Sequence, residues 1–102
     1  MGEDYKNTDL IKLLIAFLNT AVKFNKTIEI SNSACIDWAI RLTSYHDFLK
    51  TDSDGYRIID QFTDILKTPV AQRNGVMIPV EDAKIWIIEF KRLLNMLEIN
   101  RF

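Results

Sequence analysis

The chain contains few of the residues that build disulfides, metal clusters and tight loops. Its 102 residues include one cysteine, one histidine, two prolines and three glycines. Because Cys35 is the only cysteine, an intramolecular disulfide and a thiolate metal cluster within the chain are both excluded. A lone thiol is typical of proteins from a reducing compartment, so the expected location is the cytoplasm.

The chain also lacks an excess of charge and a long apolar run. Lys and Arg number 13 against 14 Asp and Glu, a formal net charge of −1, which predicts no general attraction to nucleic acid or to an anionic membrane. The most apolar stretch, residues 10–24, is interrupted by Lys12, Asn19 and Lys23. It is too short and too polar to span a bilayer.

Apolar residues are plentiful, at 48% of the chain, and at this length they can form one hydrophobic core. Their three- and four-residue spacing predicts helices over 8–24, 34–49, 54–67 and 80–99. We therefore expect one compact, mainly α, four-helix domain over residues 1–102, with residues 1–7 flexible.

Two segments between the helices have extended character. The alternation in residues 27–30 predicts a short strand, and Asn74-Gly75 suits a two-residue turn, so we expect residues 70–78 to form a small hairpin or an exposed loop. The resulting order of elements resembles the winged-helix arrangement of many DNA-binding proteins. The resemblance covers the topology of residues 10–79 and no sequence motif.

That resemblance implies a nucleic-acid-binding regulator, with the third helix in a DNA groove and Arg73, Asn74 and Gly75 at the tip of the wing. Charge disfavours this function. Residues 47–64 contain five aspartates against Lys50 and Arg57, whereas phosphate contacts by basic residues supply most non-specific DNA affinity. Nucleic-acid binding is therefore kept as the alternative hypothesis.

No group of residues predicts catalysis or metal binding. A calcium loop that used Gly55 as its glycine would need Lys50 and Gln61 as its first and last ligands, which calcium does not accept. Cys35 and His46 are eleven residues apart on one predicted helix, roughly 16 Å along its axis, so they cannot form a catalytic pair. We expect Cys35 to be a small buried residue and His46 to lie at the edge of the core.

Four aromatic residues could be interpreted as a stacking site for a base or a cofactor. Their one-turn spacing is instead typical of helix faces packed in a core. The residues are Trp38, Tyr45, Trp86 and Phe90. No enzyme activity, cofactor, metal ion or small-molecule ligand is predicted.

The helices carry more apolar surface than one small core requires. The apolar arc of the first helix spans roughly 200°, which indicates a central helix or one shared with another chain. The last helix has a second apolar stripe on the side away from Trp86 and Leu93, and the second helix has two isoleucines away from its main face. The predicted partner-binding residues are Ile85, Ile88, Arg92, Met96, Ile99, Ile36 and Ile40.

Two interpretations of this surplus remain open at the level of sequence. The stripe on the last helix is either an interface or a face covered by the first helix and the hairpin, and Ile36 and Ile40 are either part of an interface or isolated surface residues. The leading hypothesis is a non-enzymatic protein-binding module, a small adaptor or inhibitor, that self-associates as a homo-oligomer.

Overall fold

The computed structural model describes residues 8–99, apart from the side chain of Ile99. Its elements confirm the mainly α class and the four main helices, and add a fifth short helix. The predicted flexibility of residues 1–7 lies outside the described residues. The elements are α1 (Asp9–Phe24), β1 (Ile28–Ile30), α2 (Asn32–Thr43), a 3-10 helix (Ser44–Phe48), α3 (Asp54–Leu66), α4 (Pro69–Asn74), β2 (Val76–Ile78) and α5 (Val80–Ile99).

Polar side chains at the helix ends explain where several of the helices begin and stop. Ser31, Ser53 and Thr68 precede α2, α3 and α4, and each side-chain oxygen accepts a hydrogen bond from the backbone N–H three residues later, at 3.2, 3.2 and 3.1 Å. These bonds satisfy amide groups that the first helical turn leaves unpaired. Helix α1 ends at Phe24, and the next residue, Asn25, has a φ of 51°, the left-handed conformation common after helices.

The prediction of one continuous helix over 34–49 is wrong at its end. The α-helix stops at Thr43 and a 3-10 helix follows it. The hydroxyls of Thr43 and Ser44 donate to carbonyl oxygens of the preceding turn, at 2.7 and 2.6 Å. Such bonds compete with regular helix geometry, and they occur where the α-helix gives way.

The hairpin predicted over 70–78 is confirmed only in its second half. Residues 70–74 belong to α4, because Thr68 caps that helix and Pro69 occupies its first turn, where a missing N–H costs nothing. Only Val76–Ile78 is extended, and it pairs with β1 rather than with its own neighbours. Placing Arg73 and Asn74 at a wing tip is therefore wrong, since both are helical.

The strands β1 and β2 form an antiparallel pair with Ile28 opposite Ile78, Glu29 opposite Met77 and Ile30 opposite Val76. Alternate side chains point to opposite faces of a strand. One face is therefore turned toward the core, where Ile28, Ile30 and Ile78 are buried, and Glu29 and Met77 lie on the exposed face.

The helices surround one core. Helix α5 packs mainly on α1 and also on α3, while α2 packs on α3 and α4. At the centre, the rings of Phe62 and Phe90 meet edge to face, with their centroids 4.9 Å apart. The face of α5 turned toward this core consists of Ala83, Trp86, Ile87, Phe90, Leu93, Leu94 and Leu97, all buried or half-buried.

Across residues 8–99, no helix combines the length and the apolar character that crossing a lipid bilayer requires.

Candidate protein-interaction surfaces

The outer face of α5 carries two exposed isoleucines. Ile85 and Ile88 are 58% and 60% exposed and lie one turn apart, so their side chains are neighbours on the helix surface. They lie on the opposite side of α5 from Phe90, which is completely buried. This pair is the exposed part of the predicted stripe, and we call it the α5 pair.

Arg92 lies beside the α5 pair but is engaged within its own chain. Its guanidinium group contacts the carboxylate of Asp54, at the start of α3, and lies 3.3 Å from the carboxylate of Glu89. Arg57 approaches the same two carboxylates at 3.3 and 3.5 Å. The four side chains form a charge-balanced cluster that links α3 to α5.

Met96 also contributes to the contact between α3 and α5. A Cβ atom added to Gly55 would lie 3.3 Å from Cε of Met96 and 3.1 Å from Cδ1 of Leu93, so the Met96 side chain packs over the glycine. Helix α3 thus covers this side of α5, whereas the sandwich interpretation names the first helix and the hairpin as the covering elements. The side chain of Ile99 lies outside the described residues.

A second exposed pair lies on α2. Ile36 and Ile40 are 42% and 69% exposed and are one turn apart, on the opposite side of the helix from Trp38. Helix α2 packs on α3 and α4, whereas α5 packs mainly on α1, so the two isoleucine pairs lie on helices with different main neighbours.

An apolar groove of about 280 Å³, which the sequence patterns did not predict, lies between α1, β1 and the start of α2. The rings of Phe17 and Trp38 meet edge to face within it, with their centroids 5.6 Å apart. Leu13 is 51% exposed at its border. The groove is lined by Leu13, Phe17, Glu29, Ile30, Ala34 and Trp38, together with Ser31.

Among the described residues, Glu29 is the one charged side chain that lines this groove. Its carboxylate forms no ion pair with any other residue between 8 and 99. Met77 is its cross-strand neighbour on the same exposed face and is 58% exposed. The exposed apolar surface therefore extends from the groove to Met77 on the sheet, next to the Glu29 carboxylate.

The wide apolar arc of α1 was the sequence signal for this groove. Leu13 and Phe17 lie at one edge of that arc, where the buried residues of α1 end. Whether such an edge is covered depends on where β1 lies, and that position is set by pairing with β2, nearly fifty residues later in the chain. Helical periodicity carries no information about this pairing.

The cysteine and the histidine have separate environments. Cys35 is completely buried, as predicted, and its Sγ atom lies 3.7 Å from the carbonyl oxygen of Ile30. Burial raises the pKa of the Cys35 thiol, which keeps it protonated and unreactive near neutral pH.

His46 stacks on Tyr56 with a centroid distance of 4.0 Å. Its Nε2 atom is 2.9 Å from Oδ1 of Asp60, but the two groups are not aligned as a hydrogen bond. The described residues include no group of three His, Cys, Asp or Glu side chains arranged to hold a metal ion.

Comparison of the chain with protein-family models, with curated proteins and with solved structures finds no match.

Proposed function

We propose that this protein is a non-enzymatic protein-binding module that self-associates through the outer face of α5. The observation that carries the proposal is the α5 pair, two large aliphatic side chains left exposed side by side on a helix whose other face fills the core. Burying a fully exposed side chain of this size stabilises a contact by about 1.5–3 kcal/mol, and a side chain that is 58–60% exposed contributes roughly that fraction of it. Adjacent exposed apolar side chains are typical of interaction sites.

The exposed pair on α2, Ile36 and Ile40, is a second contact surface in this proposal. It offers the same chemistry as the α5 pair and would allow the module to bind another protein as an adaptor or inhibitor while it self-associates. We place the module in the cytoplasm, because its single cysteine has no disulfide partner within the chain.

Solution mass by light scattering, over a range of protein concentrations, tests the proposal. We expect the wild-type protein to be larger than a monomer at high concentration. Ile88→Asp should weaken self-association at least tenfold, because a carboxylate would have to be buried in the contact. The helical circular-dichroism spectrum should be unchanged, since position 88 is exposed within the chain.

Val70→Asp is the matched control. Val70 on α4 is 60% exposed, so the substitution places the same charge at an equally exposed aliphatic site outside the proposed contact. The solution mass of Val70→Asp in light scattering should show the same degree of association as that of the wild type. A wild-type protein that stays monomeric at high concentration, or an Ile88→Asp variant that associates normally, would show the proposal to be wrong. Ile40→Asp then measures the contribution of the pair on α2.

A further inference from the structure

We infer that the α5 pair of one copy binds in the α1–β1–α2 groove of a second copy, with Ile88 inserted and Lys91 paired to Glu29. The inference rests on the proposed self-association and adds the surface that receives α5. Both halves of the contact are present on every chain, so the protein can bind itself without a further component.

The size of the groove suits an aliphatic anchor. Its volume of about 280 Å³ corresponds to roughly nine water molecules at about 30 Å³ each, more room than the four side-chain carbons of one isoleucine need. Aromatic rings from Phe17 and Trp38 line it, and apolar pockets of this kind typically receive the central side chain of an interface. The helix surface next to Ile88 supplies Ile85 as a second apolar contact.

The charges beside the two apolar surfaces are complementary. Lys91 is one turn from Ile88 on α5, is exposed, and forms no ion pair within residues 8–99. Lys84 lies on the same flank of the helix. Glu29 is the matching carboxylate of the groove, likewise without an ion pair to the residues between 8 and 99. An apolar anchor with a cation beside it thus meets an apolar groove with an anion beside it.

Contact between two α5 faces is the competing arrangement. In an antiparallel pairing related by a two-fold axis, the same flank of each helix faces its copy. Lys91 would then face the flank of the other copy that carries Lys84, which already pairs with Glu81 at 3.8 Å, and a second Lys91. Binding in the groove instead brings Lys91 to the Glu29 carboxylate and covers two exposed apolar surfaces at once.

A mixing experiment distinguishes the two arrangements. Leu13→Asp blocks the groove at a half-exposed position, and Ile88→Asp removes the anchor. We expect each variant alone to associate at least tenfold more weakly than the wild type. An equimolar mixture should form a heterodimer, because the Ile88→Asp chain keeps an intact groove and the Leu13→Asp chain keeps an intact anchor. Circular dichroism verifies that both variants are folded.

A charge exchange provides a second measurement that leaves the apolar groups untouched. Glu29→Lys and Lys91→Glu should each weaken association several-fold, and the double variant should recover it because the ion pair is restored in reverse. If Leu13→Asp associates normally, or if the mixture stays monomeric, the groove is not the receiving surface, and self-association through α5 stands. If Ile88→Asp associates normally, the proposed function itself fails.

Discussion

At the scale of single residues, Gly75 is the position where the backbone tolerates no side chain. It joins α4 to β2 with φ +82° and ψ −177°, a conformation that is almost confined to glycine. A Cβ atom there would lie 2.5 Å from the carbonyl oxygen of Ile30, which belongs to the paired strand. We expect Gly75→Ala to lower the free energy of unfolding by about 2 kcal/mol or more, as measured by urea titration.

Gly55→Ala is the control for this substitution. At Gly55 the nearest atoms are the ends of the Leu49, Leu93 and Met96 side chains, at 3.0–3.3 Å, and side-chain ends can shift where a backbone oxygen cannot. Alanine also gains about 1 kcal/mol of helix propensity over glycine. The loss should therefore be clearly smaller than at Gly75. Equal losses would contradict the role assigned to the backbone of Gly75.

The buried thiol of Cys35 predicts a loss of stability in alkaline solution. Burial raises its pKa in the folded state above the usual value of 9.0. Above pH 9 the unfolded chain releases this proton more readily than the folded chain, so the free energy of unfolding should fall as the pH rises. Urea titrations between pH 7.5 and about pH 10 should show this fall, and a flatter profile is expected for Cys35→Ala. If the free energy of unfolding fell equally steeply with pH in the wild type and in Cys35→Ala, the buried Cys35 thiol would not be the cause of the fall.

At the scale of elements, α4 depends on one hydroxyl group. The Thr68 side chain accepts the hydrogen bond from the Ala71 N–H at 3.1 Å and begins a helix of only 6 residues. Thr68→Ala should cost about 1 kcal/mol of stability, whereas Thr68→Ser, which keeps the hydroxyl, should stay near the wild type in thermal unfolding. A loss in both variants would point to the methyl group of Thr68 instead.

The charged cluster between α3 and α5 should contribute little to the stability of the fold. Asp54, Arg57 and Arg92 are each 43–48% exposed, so solvent screens their attraction. Arg92→Ala should cost less than about 1 kcal/mol, and the cost should shrink further in concentrated salt. Because Arg92 is engaged within its own chain, self-association should change little. A strong loss of association with normal stability would instead make Arg92 part of the contact.

The elements also show where sequence patterns suffice and where they do not. Helix α3 was predicted to within one residue, because its apolar spacing and its Ser53 cap agree. Helix α4 was missed, although Thr68-Pro69 carries a signal for a helix start, a capping threonine followed by a proline in the first turn. The pairing of β1 with β2 could not be predicted, because three-residue strands gain their stability from partners distant in the chain.

The residues predicted to form the interaction surface also fall into two groups, those that are exposed and those against which a neighbouring helix lies. Ile85 and Ile88 were identified from periodicity, and their exposure agrees with it. Arg92 and Met96 share that face in helical projection, but α3 lies against their side of α5. Projection gives the direction of a side chain on its own helix. It does not give the position of the neighbouring helix.

At the scale of the whole molecule, the exposed apolar groups lie on a well-packed body. The radius of gyration is 13.4 Å, close to the value of about 13 Å expected for a compact chain of 100 residues. Loose packing is therefore not the reason that Ile85, Ile88 and Leu13 are exposed. Their exposure is the geometric consequence of a core that already encloses the opposite faces of α1 and α5.

Self-association of such a domain links its thermal stability to its concentration. If only the folded chain dimerises, each tenfold rise in concentration stabilises a dimer by about 1.4 kcal/mol, and the Tm of the wild type should rise by a few degrees. Ile88→Asp should remove this dependence, whereas Val70→Asp should keep it. A wild-type Tm that is constant between micromolar and millimolar concentrations would contradict a dimer of folded chains, because mass action requires the shift.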